Sequence, residues 1–321
     1  MESELNNKIV SAIQKHYSEE GKLIPYLADL LCLSKESVYR RIGNKKPFTI
    51  KETCIVFSAM GLSFDEVIGG TRNSFFSIPK LINESSDFEE RFKKMLLSQV
   101  SIAKQMHKAV MKETLTVLNR LSIIVHMDFK HIFKFLYFKH LHSAENIPYN
   151  FRLSDLIISP EIISLCKEIA YYSKPMENST YIFDDNIIAG VIREIKYYYK
   201  RDLISNEELH LIQEDLHSAL DQAERTFRSG NNDYGAKVYH YYSMFDLDSN
   251  YTYYDYDGNA ISQFWIHQVH PVIISDPAIS AVHKEWIESL KKYSTLVTLC
   301  NEAMQSEFMN KQRRLIINLT K

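Results

Sequence analysis

Apolar residues recur at helical spacing through most of this chain, and the first 70 residues divide into five short units. Leu5, Ile9, Val10 and Ile13 make one stripe, which predicts a helix over residues 1–22 ending near Gly21. Tyr26, Leu27, Leu30 and Leu31 repeat at the same spacing until Cys32-Leu33. Ser34 is a good N-cap for a second stripe carrying Val38 and Ile42, and Gly43 follows as a residue that accepts positive φ just past a helix end. Thr49 with Glu52 forms a capping box for a helix bearing Ile55, Val56 and Met60, closed by Gly61. Ser63 with Glu66 repeats the device for a fifth helix, stopped by Gly69-Gly70. Residues 71–85 then lose helical period and are rich in Ser, Asn and Pro, which predicts a linker.

From Ser86 a long helical pattern runs to about Leu121. Phe88, Phe92, Met95, Ile102, Met106 and Ala109 form one seam with Gln99 filling a step, and Leu96, Val100, Ala103 and Val110 form another beside it. Such seams suit a dimerising coil or a helix buried in its own domain, and two adjacent seams favour the latter. Further helices are predicted over 129–142, from Ser159-Pro160 to about Tyr172, from Asp184 or Asp185 to Tyr199, and from Ser205 to about Arg228. The period then changes to two. Residues 236–245, 250–257 and 260–275 are dense in Tyr, Val, Ile and Trp, and Asp257-Gly258 is a strong hairpin signal. They predict a three-stranded antiparallel meander, followed by a helix from Asp276-Pro277 and a last one from Ser294 towards Leu319. The fold class expected is mainly α: a five-helix domain over 1–70, a linker, and a mostly helical domain over 86–321 with a small sheet near 236–275.

Charge sharpens this picture at one place. Between Lys35 and Lys51 stand six basic residues against the single acid Glu36, a net of +5 in a chain whose total is −2. Two helices joined by a three-residue turn, with the second capped by Ser34 and followed by a Lys-rich loop, describe a helix-turn-helix facing a polyanion. Here the sequence resembles the Cro/C1-type (lambda-repressor-like, XRE) helix-turn-helix family. The resemblance rests on Leu27-Ala28-Asp29-Leu30-Leu31, Ser34-Lys35-Glu36-Ser37-Val38-Tyr39-Arg40, Gly43, Lys46-Pro47 and Gly61-Leu62-Ser63-Phe64-Asp65-Glu66-Val67. It covers about a fifth of the chain and implies a five-helix domain whose second and third helices read DNA. The family often has Gly where Cys32 stands, so backbone strain is expected there. It often has Gln or Thr where Ile24-Pro25 stands.

The expected function is that of a sequence-specific transcriptional regulator bound to double-stranded DNA as a homodimer. Lys35, Glu36, Ser37 and Arg40 would face base edges, Tyr39, Lys45 and Lys46 would meet phosphates, and Ser34 would cap the helix. The competing reading is a protein-interaction module whose helix-turn-helix leaves DNA alone, favoured by the balance of nine basic and nine acidic residues over 1–70.

Other chemistry leaves little trace. Composition is globular, with 45% hydrophobic and 24% charged residues, 20 Tyr and 17 Phe against 9 Gly. The N-terminus lacks a secretory h-region and no apolar run is long enough for a bilayer, which predicts a cytoplasmic protein without membrane contact. Four scattered cysteines form no CxxC. His267 and His270 are three apart on a predicted strand and His140 and His142 two apart on a helix, so neither pair converges on a metal. No nucleophile elbow or phosphate-binding glycine fingerprint is present, and neither enzyme activity nor a cofactor is expected. Rings on both faces of the meander suggest a pocket for a small-molecule effector, with Tyr239, Tyr241, Tyr253, Trp265 and His267 as lining, although Tyr also suits any half-buried pleated surface.

Overall fold

A computed structural model describes residues 2–17, 22–62, 87–122, 126–145, 147–173, 176–266 and 270–320. The chain forms two compact units, Met1–Phe75 and Phe76–Lys321. The first holds α1 (Glu2–His16), α2 (Leu23–Leu31), α3 (Lys35–Ile42) and α4 (Ile50–Met60). Ile9, Val10, Ile13, Leu27, Val38, Val56 and Phe57 close its core, while Leu5 stays exposed. Both capping devices are in place: Ser34 Oγ accepts from the Ser37 amide, and Thr49 and Glu52 bond each other's backbone. Cys32 ends α2 at φ 52°, ψ 43°, in the left-handed region that favours glycine. Gly43 does not use its freedom, with φ at −82°. The left-handed residue of that turn is Asn44, at φ 55°. The fifth helix expected from Ser63 and the linker expected at 71–85 lie outside the described residues.

The second unit corrects the expectation of a mainly α domain with a three-stranded meander. It is an α/β layer structure built on a seven-stranded mixed sheet. In chain order come α5 (Phe88–Lys108), β1 (Lys112–Leu118), α6 (Lys130–Ala144), α7 (Pro160–Ser173), β2 (Ser179–Phe183), α8 (Asn186–Tyr199), α9 (Asn206–Ser229) and β3 (Val238–Ser243). Then follow β4 (Tyr251–Tyr256), β5 (Asn259–Ile266), β6 (His270–Ile274), α10 (Pro277–Lys291), β7 (Ser294–Leu296) and α11 (Glu302–Ile317). The strand order is β6-β5-β4-β1-β2-β3-β7, with β1, β2 and β3 parallel and the remaining pairings antiparallel.

Four segments account for the correction. The predicted helix over 86–121 stops at Lys108, and residues 112–118 become the central strand β1. Lys-Glu-Thr-Leu-Thr-Val-Leu alternates, with Leu115 and Val117 on one face and Thr114 and Thr116 on the other, and a helix leaves that alternation no single apolar side. Short β2 was hidden between two helical patterns, because five residues bounded by Asn178 and Asp184 carry too little periodicity to stand out. Residues 238–243 do pair as a strand, but in parallel with β2 rather than antiparallel with 251–256, and the antiparallel meander is β4-β5-β6. Ser294 starts β7, not the last helix, which begins at Glu302.

The seams of α5 are covered inside the unit. Phe88, Phe92, Met95 and Leu96 pack with α6 to α9 and α11 on one face of the sheet, and Ile102, Ala103 and Met106 meet Met176, Tyr254 and Tyr256. On the opposite face Ile287 of α10 packs over Leu115, Val117, Ile182, Tyr251 and Tyr253.

Candidate nucleic-acid interface and an interior cleft

Helix α3 separates its residues into two sets. Val38 is fully buried, and Arg41 turns inward beside it. The Arg41 guanidinium donates to both Glu52 carboxylate oxygens, at 2.9 and 2.6 Å, and to the Ser37 carbonyl at 3.0 Å. That bidentate pair joins α3 to the capping box of α4 and holds the Glu52 carboxyl below its ordinary range, the Arg41 hydrogen bond being the main cause. The outward set is Lys35, Glu36, Tyr39 and Arg40, with Ser37 half-buried at the helix start. Arg41 therefore belongs to the fold, and the exposed basic residues of this stretch are Lys35, Arg40, Lys45, Lys46 and Lys51.

The Lys45-Lys46 loop is pinned rather than trailing. Both lysine amides donate to the Arg40 carbonyl, at 2.8 and 3.0 Å. Buried Asn6 of α1 donates to the Asn44 carboxamide at 2.5 Å and accepts from the Phe48 amide at 3.0 Å. Asn6 thus clasps both ends of the loop, so Lys45 and Lys46 project from a backbone with little freedom left. Sequence periodicity placed α3 and its cap, but a clasp spanning 42 residues leaves no local signature. Arg41 was legible only as one more cation.

No family model, curated protein or solved structure matches the chain. The geometry stands on its own.

The described residues among those expected to bind an effector fall on two faces of the sheet. Tyr239, Tyr241 and Tyr253 share the face covered by α10, where Tyr253 is buried beneath the Lys284 ammonium. Trp265 lies on the other face, and His267 lies outside the described residues. The reason is β periodicity: alternate residues face opposite layers, so a list of aromatic positions does not define a pocket.

A two-chambered cleft does exist, on the face that carries most of the helices. One chamber of about 220 Å³ lies over β4, β1 and β2 and includes Trp265. A second of about 250 Å³ runs between β2, β3, α8 and α9. They share Leu118, Asp128, Tyr181, Asn232 and Val238, so they adjoin. The floor of the first is a row of neighbouring hydroxyls: Thr114 pairs with Ser179 and Tyr254, and Thr116 with Tyr181 and Thr252. Thr114, Thr116, Ser179 and Thr252 are all buried. The second chamber is aromatic, with Phe183, Phe227, Phe308 and the His240 ring, which stacks on Tyr181 at 5.2 Å. Burial lowers the His240 pKa to about 3, and burial likewise lowers that of His126, so both rings are neutral at pH 7.

Among the described residues, no group of three or more His, Cys, Asp or Glu could hold a metal ion. No described helix is long and apolar enough to cross a membrane.

Proposed function

We propose that the chain is a sequence-specific DNA-binding transcriptional regulator. The Met1–Phe75 unit reads DNA, and the Phe76–Lys321 unit serves dimerisation or small-molecule sensing. The observation that carries this reading is the division of α3: Val38 and Arg41 anchor it, which leaves Lys35, Glu36, Tyr39 and Arg40 outward beside a clasped loop bearing Lys45 and Lys46. Among the described residues none of Lys35, Arg40, Lys45 or Lys46 has an ion-pair partner, so binding a phosphate breaks no existing salt bridge. A short helix with its N-terminus at Ser34 and a base-reading edge fits the width of the major groove. Glu36 can accept from a cytosine amino group and Arg40 can donate to a guanine, whereas Tyr39, Lys45 and Lys46 suit the phosphate backbone.

Selection of bound sequences from a random DNA pool tests this directly, and a palindromic product would also report the half-site spacing of a dimer. On the selected site, Arg40→Ala should cost about 1–3 kcal/mol and relax preference at one base. Lys45→Ala should weaken selected and random DNA alike and reduce the salt slope by about one. A pool that enriches no sequence, together with salt-independent passage over heparin, would instead favour the protein-interaction reading.

A further inference from the structure

We infer that the two-chambered cleft of the Phe76–Lys321 unit is a binding site for an uncharged glycoside of a planar ring, the chemical class that includes nucleosides. A strand face covered by helices ordinarily presents aliphatic side chains, because a buried hydroxyl without a partner is costly. Here β1, β2 and β4 present Thr114, Thr116, Ser179 and Thr252 side by side, all buried, while the aliphatic Leu115, Val117 and Ile182 of the same strands face the other way. Thr114 is only 7% exposed, and its Oγ1 has no hydrogen-bond partner. Hydroxyls both donate and accept, so such a floor matches a polyhydroxylated group rather than a hydrocarbon.

The adjoining chamber supplies the other half of the specificity. Phe183, Phe227, Phe308 and His240 pack on one another beyond Tyr181 and give that chamber an aromatic wall, a surface suited to a flat ring. Charge then narrows the choice. Among the described lining residues of both chambers there is no Lys or Arg; Asp128 borders both, and Asp233, which pairs with Arg225 at 3.2 Å, borders the second. A phosphate or carboxylate would enter a low-dielectric site and meet no cation among the described lining residues, which favours an uncharged ligand. Chambers of about 220 and 250 Å³ together fall in the ordinary range for a small-molecule site. The inference goes beyond the DNA reading and does not depend on it.

The test is calorimetric titration of the full chain, without DNA, using two matched pairs: adenosine with adenosine 5′-monophosphate, and phenyl β-glucoside with its 6-phosphate. At least one neutral member should bind saturably, and its phosphorylated partner at least about tenfold more weakly. Thr114→Val keeps shape and removes the unpartnered hydroxyl, so it should weaken the binding neutral probe about threefold to tenfold. If that variant lowers the melting temperature of the ligand-free chain, Tyr181→Phe supplies the same comparison at the junction of the chambers. Absence of saturable binding by both neutral probes at millimolar concentration would overturn the inference. So would equal affinity for a phosphorylated partner, or unchanged affinity in the hydroxyl-deleted variant. DNA binding can fail or succeed independently of each of these results.

Discussion

At the scale of single residues, the small unit places neighbouring positions in opposite surroundings. Arg40 and Arg41 are adjacent cations, yet one is exposed and the other is 5% exposed and committed to Glu52. Arg41→Ala is expected to destabilise the chain by about 2–4 kcal/mol, because Glu52 loses its partner and α3 its tie to α4. Urea denaturation reads that loss, and Lys45→Ala measured alongside should lie within about 0.5 kcal/mol of the parent. Cys32 offers the opposite sign. A non-glycine residue held at φ 52° is strained, so Cys32→Gly is expected to stabilise by about 0.5–1 kcal/mol, visible as a higher urea midpoint at unchanged slope. Asn6 links the core to the exposed loop, since Asn6→Ala strands the buried Phe48 amide and releases the lysine loop. That variant should cost about 1–3 kcal/mol of stability and, on the proposed function, also weaken DNA binding with no change in charge.

Elements show why neighbouring segments of similar composition took different structures. Between helix α5 and strand β1 the sequence has no glycine, proline or capping residue, and the junction is tied by a residue nearly 150 positions away. The Asp257 carboxylate accepts from the Val110 amide at 3.1 Å and the Met111 amide at 2.8 Å, which satisfies backbone donors exposed where the helix ends. Val110, placed in a helical seam by its spacing, is instead 90% exposed. Asp257 also sits at φ 51° before Gly258 at φ 82°, so one side chain serves the β4-β5 turn and the α5-β1 junction together. Asp257→Ala is expected to cost about 2–3 kcal/mol, more than a turn substitution alone, whereas Asp257→Asn should lose less because it tolerates the same φ. Chemical denaturation of the two variants side by side checks the difference.

Across the whole molecule, buried histidines tie stability to pH. His283 of α10 is 6% exposed, with Nδ1 2.8 Å from the Ser262 hydroxyl and its ring against Tyr251 and Phe264. Burial lowers its pKa to about 4 and that of His240 to about 3, against 6.5 when unfolded. Because the folded values are depressed, the associated stability is complete above about pH 6.5 and is lost as pH falls towards 4 and 3, by up to about 1.4 kcal/mol per pH unit for each ring. The melting temperature should therefore drop between pH 6.5 and 4.5, and His283→Gln should show a shallower drop than the parent. How much of this molecule could be read beforehand differs by range of interaction. The caps at Ser34, Thr49 and Ser205, the Asp257-Gly258 hairpin and the outward edge of α3 involve residues a few positions apart, so local chemistry decides them and the sequence alone determines them. Tertiary structure alone decided that 112–118 is a central strand, that β3 lies beside β2, that Arg41 is sealed by Glu52, and that a row of hydroxyls faces the cleft. Strand neighbours and buried ion pairs are chosen by backbone hydrogen bonds and desolvation between segments far apart in the chain, and periodicity within one segment carries no record of them.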